Sequence, residues 1–151
     1  MGLGIKNRLT VLMKSVKPFL QWEDNVVREV LVDCLIDVDL FDGVSFFWAN
    51  LGRDTWGFFN HWGDPNKIFV STYLRPDEES LDSWLSKTPL QHRKIRYQSV
   101  AATVAHECVH RRQFLSNKLL YYVLALPGLR ESFLEPEAHE LEDRVLMANL
   151  I

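Results

Sequence analysis

The sequence predicts one α+β domain over residues 1–151, in which helices pack on a small antiparallel sheet. Three observations carry this prediction. An aromatic, strand-like region lies between residues 41 and 74. Helical patterns flank this region on both sides. The helix predicted from about 91 to 114 contains the run His106-Glu107-Cys108-Val109-His110 and is expected at the centre of the fold.

Composition narrows the class of protein. At 151 residues and 47% hydrophobic content, the chain can bury a sizeable core. The net charge of -3 gives no reason to expect nucleic acid as a partner. Cys34 and Cys108 are too few and too far apart for a disulfide framework. We expect no transmembrane segment and no signal peptide, and hence a cytoplasmic or virion-associated protein.

The N-terminal segment has the pattern of an amphipathic helix over residues 5–20, which Pro18 ends or bends. Its basic residues lie among apolar ones, with no acidic residue between them. A solvated basic face explains this pattern, and contact with a membrane surface or a partner is the alternative. A second helix is predicted over residues 24–38, where Asp24 or Asn25 can cap the first turn.

Three strands are predicted in the middle of the chain, over residues 44–48, 56–59 and 67–74. Each is rich in aromatic or β-branched residues, and turn-forming residues separate them. Further helices are predicted from 75 to about 87, from 91 to 114, from 118 to 126 and from 133 to 149. Pro89 and the Pro127-Gly128 pair mark two of the boundaries between these helices.

The pair His106 and His110 forms the core of a predicted metal site. Residues four apart on a helix differ by about 40° in direction and by about 6 Å along the axis. Both imidazoles therefore leave the same face and can bind one Zn²⁺ ion per chain. Glu107 lies beside the metal and not on it, where it can act as general base toward a water molecule.

A third ligand is expected downstream. A catalytic zinc site has three protein ligands and one open position. The acidic segment 134–143 offers three candidates: Glu135, Glu137 and His139. Favourable interaction with a helix dipole explains one or two acidic residues at the start of a helix without any metal. Glu135 and Glu137 differ by about 200° in direction on a helix, so only one of them is expected to bind the metal.

These motifs resemble the gluzincin branch of zinc metallopeptidases, in which H-E-x-x-H is followed by a glutamate on a later helix. The resemblance covers residues 44–149 and implies a zincin-like fold. It favours Glu135 as the third ligand, because Ala138 and His139 follow at the family's spacing. His139 would stand where that family has an Asp or Asn bracing a ligand histidine. The stretch 52–74 is also similar to the hairpin of SprT-like proteins, which usually supply a third histidine.

The resemblance implies a peptidase that hydrolyses peptide bonds in a peptide or protein substrate, with Glu107 as general base. An extended peptide would then lie along an edge strand, predicted at residues 67–74. A donor for the oxyanion is also required. The candidates are Tyr73, Tyr121, Tyr122, Arg130 and His139.

Two other classes of function compete with this expectation. The first is a zinc-bound interaction module that keeps the peptidase scaffold and turns nothing over, for which an intact Glu107 has no use. The second is a structural protein whose histidines are incidental.

Overall fold

The structure, a computed structural model, describes residues 16–61, 63–76 and 90–150. It confirms the α+β class. The strands are β1 (Lys17–Pro18), β2 (Ser45–Ala49), β3 (Gly57–Phe59) and β4 (Lys67–Ser71). The helices are α1 (Gln21–Asp33), α2 (Leu90–Arg96), α3 (Gln98–Ser116), α4 (Lys118–Leu124) and α5 (Glu135–Leu146). A π-helical turn, Arg130–Leu134, leads directly into α5.

The sheet is mixed, so the prediction of an antiparallel sheet is wrong. Its order is β1-β2-β4-β3, and β2 and β4 pair in parallel, with Phe46 opposite Ile68 and Trp48 opposite Val70. Both strands have the same alternating burial, and these four side chains are almost completely buried. Central positions suit the strands with the most apolar inner faces, but local periodicity does not reveal which strands pair.

The position of β4 corrects the expected edge for an extended peptide. Residues 67–71 lie between β2 and β3, so both sides of this strand are already paired. The short strand β3 is the outer neighbour of β4 and pairs with it antiparallel. Within the described part of the chain, β3 therefore offers the open edge on this side of the sheet.

The N-terminal predictions are partly wrong. Lys17 and Pro18 form β1, which pairs with β2, instead of the end of a helix. Proline lacks a backbone N–H, and this is compatible with an edge strand. The rest of the helix predicted over 5–20 falls mostly on residues 1–15, outside the described residues. The helix predicted for 75–87 falls outside them from residue 77 on.

The boundaries of α1 differ from the predicted span of 24–38. The helix begins earlier, at Gln21, and ends at Asp33. Leu35 follows with a positive φ of 59°, a left-handed conformation that cannot continue a helix.

The helix that carries the histidines is central, as predicted. The single helix expected over 91–114 is divided into α2 and α3 at Tyr97, whose side chain is fully buried. Small residues such as Ala101, Ala102 and Ala105 are buried along α3 and allow other elements to approach closely. None of the described helices is both long and apolar enough to cross a membrane.

Helix α5 lies antiparallel to α3 and is fixed at both of its ends. Near the start of α3, the Gln98 amide donates hydrogen bonds to the last carbonyls of α5, including that of Val145 at 2.7 Å. At the other end, Arg112 of α3 forms an ion pair with Glu137 of α5. Carbonyls at a helix end need such partners, so Gln98 satisfies groups that the helix itself leaves open.

A buried carboxylate joins the elements around the start of α3. Glu23 is fully buried and accepts hydrogen bonds from the Leu20 N–H (2.9 Å), the Trp48 indole (3.2 Å) and the Tyr97 hydroxyl (2.7 Å). The Arg75 guanidinium donates to both of its oxygens, at 2.9 and 3.1 Å. Glu23 thus links α1, β2, the segment after β4 and the junction of α2 with α3.

Replacing Glu23 with alanine should lower the free energy of unfolding by about 3–5 kcal/mol. The change leaves the buried Trp48 and Tyr97 donors without their acceptor and removes the carboxylate that faces Arg75. Urea denaturation measures the loss. Glu29→Ala is the matched control, because Glu29 is on the same helix but half exposed, 3.5 Å from Lys94, and should change stability by only about 0–1 kcal/mol. Equal small losses for both variants would show that the Glu23 contacts do not hold these elements together.

Candidate metal centre

The two motif histidines converge as their spacing predicts. Both lie on α3, and their Nε2 atoms are 3.2 Å apart. His110 is buried, whereas His106 reaches the wall of an open cleft. Two imidazoles on neighbouring turns of one helix thus direct the same ring nitrogen toward a common point.

The Glu135 carboxylate lies against both histidines. Its Oε2 lies 3.1 Å from His106 Nε2, and its Oε1 lies 3.1 Å from His110 Nε2. A tetrahedral zinc centre with bonds of about 2.0–2.1 Å separates its ligand atoms by roughly 3.3 Å. Each histidine faces a different oxygen of Glu135, at a distance close to the separation of two ligand atoms around such an ion. Two imidazoles with one carboxylate are a ligand set of catalytic zinc sites.

The two other candidates for the third ligand are placed differently. Glu137 points to the surface, where it pairs with Arg112. His139 lies at the rim of the cleft, 57% exposed, with Nε2 3.4 Å from Glu135 Oε2. The geometry therefore sets Glu135 against both histidines and leaves His139 beside Glu135. The ligand role of Glu135 stays a prediction.

The electrostatics of the group follow from these contacts. The His106 and His110 rings beside it hold the pKa of the Glu135 carboxyl far below its usual range, since a protonated imidazole stabilises the carboxylate. Burial alone would lower the pKa of His106, but the hydrogen bond to Glu135 and the charges of Glu107, Glu135 and Glu142 outweigh burial and raise it. The site is thus an environment in which positive charge is favoured.

Gln113 orients His110, and the sequence analysis missed it. Its side-chain nitrogen donates to the Leu134 carbonyl at 2.9 Å, so its oxygen is the acceptor for His110 Nδ1, also at 2.9 Å. The Nδ1 position then carries the proton, and the Nε2 lone pair faces Glu135 and His106. The signal was available, because a residue three positions after the second histidine lies on the same helix face.

Glu142 was also missed. Its Oε2 lies 3.0 Å from His139 Nδ1 and 3.4 Å from His106 Nδ1, although the second contact does not have hydrogen-bond geometry. Glu142 follows Glu135 by seven residues, which is two helical turns and one face. This carboxylate is therefore the acidic group beside His106 Nδ1. His139 contacts Glu142 and also the His106 ring, which it meets edge-on with the ring centroids 4.9 Å apart.

The π-helical turn before α5 explains how Arg130 reaches the group. In an α-helix, residues five apart point about 140° away from each other. A π-turn bonds residue i to residue i+5 and brings them onto one face. The Arg130 carbonyl accepts from the Glu135 N–H, and the Arg130 Nε donates to Glu135 Oε1 at 2.9 Å. The arginine thus holds the carboxylate oxygen that also faces His110.

Glu107 is the acidic residue of the HExxH motif, and one of its oxygens is unpaired among the described residues. The side chain is buried, and within the described residues its Oε2 has no hydrogen-bond partner. Burial raises the pKa of this carboxyl, while His110, His106 and Arg130 act to lower it. Buried carboxylate oxygens are normally paired, so an unpaired one at a cleft wall is the expected position for an atom that meets water or substrate.

The cleft beside this group encloses about 300 Å³. Its walls come from the segment before β3, from α3, and from the region of α5. The lining residues are Asp54, Thr55, Trp56 and Gly57, then Thr103, His106 and Glu107, then Arg130, Glu135, His139 and Glu142. Of the five predicted oxyanion donors, Arg130 and His139 therefore line the cleft. Tyr121 is buried and is not among the residues that line the cleft.

Gly57 sets the distance between β3 and α3. A Cβ atom at this position would lie 2.6 Å from Thr103 Cγ2 and 2.8 Å from Glu107 Cγ. Real Cβ atoms do not approach other carbons so closely, so any larger residue forces the strand and the helix apart. Glycine is required here because the strand crosses the helix directly over Glu107.

Gly57→Ala should therefore destabilise the protein by about 1–3 kcal/mol, the usual cost of overpacking. Chemical denaturation of the single variant and of Gly57→Ala/Thr103→Ser gives the test. The second change removes Cγ2 and should restore part of the loss, while the Thr103 hydroxyl bond to the Ser99 carbonyl is kept. Gly63→Ala is the control, since the nearest side chain there is the flexible Asn60 amide. Wild-type stability in Gly57→Ala would contradict this account of the contact.

Comparisons with protein-family models, with curated proteins and with solved structures found no match for this chain. The likeness to gluzincins is therefore carried by the motif residues alone. Any function has to be argued from the geometry of the cleft and the residues around it.

Proposed function

We propose that this protein is a zinc-dependent peptidase with a zincin-like arrangement of its site. The observation that carries the proposal is the group formed by His106, His110 and Glu135, with the unpaired oxygen of Glu107 beside it. An interaction module that binds zinc needs only the two histidines and Glu135. A hydrolase also needs Glu107, because a group has to accept the proton of the attacking water.

The side chains present fit zinc. Two imidazole nitrogens and a carboxylate are suitable ligands, and they have the separations described above. Gln113 fixes the tautomer of His110, and Arg130 fixes the rotamer of Glu135. Hydrogen bonds from neighbouring residues thus hold these two proposed ligands in the orientation that a metal needs. Zinc bound there supplies a Lewis acid that polarises a carbonyl oxygen and acidifies a water molecule.

Glu107 provides the proton transfers of peptide hydrolysis. Its unpaired Oε2 accepts a proton from the water that attacks the scissile carbonyl carbon. The same proton then passes to the nitrogen of the departing amine. Burial raises the pKa of Glu107, which brings it closer to the working range of a group that must both take and release a proton near neutral pH.

The open edge of β3 is suited to bind an extended peptide. The Trp56 carbonyl accepts from the Ser71 N–H at 2.7 Å, and Phe58 pairs with Phe69 two residues further along. Bonded and non-bonded pairs alternate in an antiparallel ladder, so the N–H and C=O of Gly57 point away from β4. A substrate strand added at this edge lies next to Gly57, and therefore next to Glu107.

Elemental analysis of protein purified without added metal should find one zinc per chain. Glu135→Ala should weaken zinc binding at least about 100-fold, because losing a ligand costs more than losing a supporting residue. Glu137→Ala is the matched control on the same helix, since it removes a surface partner of Arg112 and should change affinity little. Competition with a chromophoric chelator measures both.

Equal losses in the two variants would overturn the assignment of Glu135. Protein that contains no zinc and takes up none when zinc is added would overturn the metal site itself. Thermal melting gives an independent check, because a metal that binds only the folded state raises its melting temperature by mass action. Chelator should therefore lower the wild-type melting temperature and leave that of Glu135→Ala nearly unchanged.

Glu107→Gln should keep the fold and the zinc but lower peptide hydrolysis by roughly 10²–10⁴-fold, the usual contribution of a general base. Glutamine has nearly the same shape but cannot accept the proton. The assay is a peptide library followed by mass spectrometry, with zinc content checked in both proteins. Hydrolysis by the variant at the wild-type rate would exclude this role for Glu107. Zinc-loaded wild type that cleaves no peptide would favour the interaction module over the peptidase.

A further inference from the structure

Arg130 is held by Glu135 through both its backbone and its side chain. The Arg130 carbonyl accepts from the Glu135 N–H in the π-turn, and the Arg130 Nε donates to the Glu135 carboxylate at 2.9 Å. The side chain of Tyr121, which is buried in the core, interacts with the same guanidinium. A guanidinium has five N–H donors in a fixed plane, so the bond to Glu135 leaves donors available.

The remaining donors belong to a side chain that lines the cleft. Arg130 stands in the wall next to Glu135, and the segment before β3 forms another wall. Glu107 lines the same cleft. A cation and the residue that handles the proton in the proposed reaction therefore face one partly enclosed space, where charges interact more strongly than in bulk water.

We propose that the Arg130 guanidinium donates to the oxygen of the scissile carbonyl and stabilises the negative charge that forms there during hydrolysis. This inference rests on the proposed peptidase function. The water oxygen bonds to the carbonyl carbon, and the carbonyl π pair moves onto the oxygen that Arg130 faces. When the pair returns, the C–N bond breaks, and the nitrogen takes the proton that Glu107 carried. The products are an amine and a carboxylic acid that keeps the second proton of the water.

His139 is less suited to this role, although it also lines the cleft. Its side chain is 57% exposed, and its Nδ1 is engaged by Glu142 at 3.0 Å. An exposed side chain is not held in one orientation, whereas preorganised donors are what stabilise a developing charge. Arg130 is held through its Nε by Glu135 and stays charged at every relevant pH.

The test uses Arg130→Gln, Arg130→Lys and a matched control, Arg112→Gln. The control also removes an arginine that pairs with a glutamate of α5, but on the outer side of the same two helices. Each full-length protein is saturated with zinc, and its zinc affinity is measured separately by chelator competition. Three further quantities are measured: kcat/KM for a cleaved peptide, affinity for a phosphinic peptide that mimics the tetrahedral intermediate, and affinity for the unreactive product peptide.

Arg130→Gln should lower kcat/KM by about 10²–10³-fold, as expected for a lost oxyanion donor. The affinity for the phosphinic peptide should fall in parallel, while affinity for the product peptide changes little. Arg130→Lys keeps the positive charge but loses the planar guanidinium. Its kcat/KM and its affinity for the phosphinic peptide should lie between those of wild type and those of Arg130→Gln. Arg112→Gln should behave as wild type in all three measurements.

Two results would overturn the inference while leaving the peptidase function intact. The first is zinc-saturated Arg130→Gln that keeps both kcat/KM and phosphinic-peptide affinity within about threefold of wild type. The second is a variant whose lost activity follows its lost zinc and returns fully when zinc is restored, which would limit Arg130 to bracing Glu135. Zinc-loaded wild type that hydrolyses no peptide would overturn the proposed function and this inference with it.

Discussion

The buried carboxylate of Glu23 is the contact on which the position of α3 depends. It accepts hydrogen bonds from groups of α1, β2, the segment after β4 and Tyr97, the last residue before α3 begins. A buried charge adds little net stability when it is fully paired, but displacing one of its partners is costly. The start of α3 is therefore fixed against the sheet. His106 follows Tyr97 by nine residues on the same helix, so its position is fixed as well.

The second constraint is the close approach of β3 to α3 at Gly57. Side chains between a strand and a helix normally keep the two backbones apart. At Gly57 there is no Cβ, so the strand backbone packs directly against Thr103 and Glu107. The consequence is chemical as well as structural. The same residue that permits the approach has its backbone N–H and C=O directed to the open side of the sheet, so this one position brings the strand edge next to Glu107.

The predictions that succeeded depended on short-range helical geometry. The convergence of His106 and His110 and the separation of Glu135 from Glu137 follow from 3.6 residues per turn once the helices exist. The predictions that failed depended on contacts between distant parts of the chain. Strand periodicity marked β2 and β4 correctly but could not say that they pair in parallel, because pairing is decided by which apolar faces are buried together.

Two contacts of the candidate site were not predicted from the sequence, for different reasons. Gln113 lay three residues beyond a recognised histidine, so the helical pattern contained it. The contact of Arg130 with Glu135 was hidden, since five residues place two side chains on different faces of an α-helix, and only the wider π-turn aligns them.

The charge around the histidines shows what the arrangement is suited to hold. Glu107, Glu135 and Glu142 contribute three carboxyl groups, and Arg130 is the cation in the same wall of the cleft. The nearby carboxyl groups raise the pKa of His106, although burial opposes the charged imidazolium. The same groups would favour the divalent cation that the proposed function requires. The groups behind the ligands, Gln113 and Arg130, are paired in the protein itself. Packing between α3 and α5 therefore positions the proposed ligands without a metal.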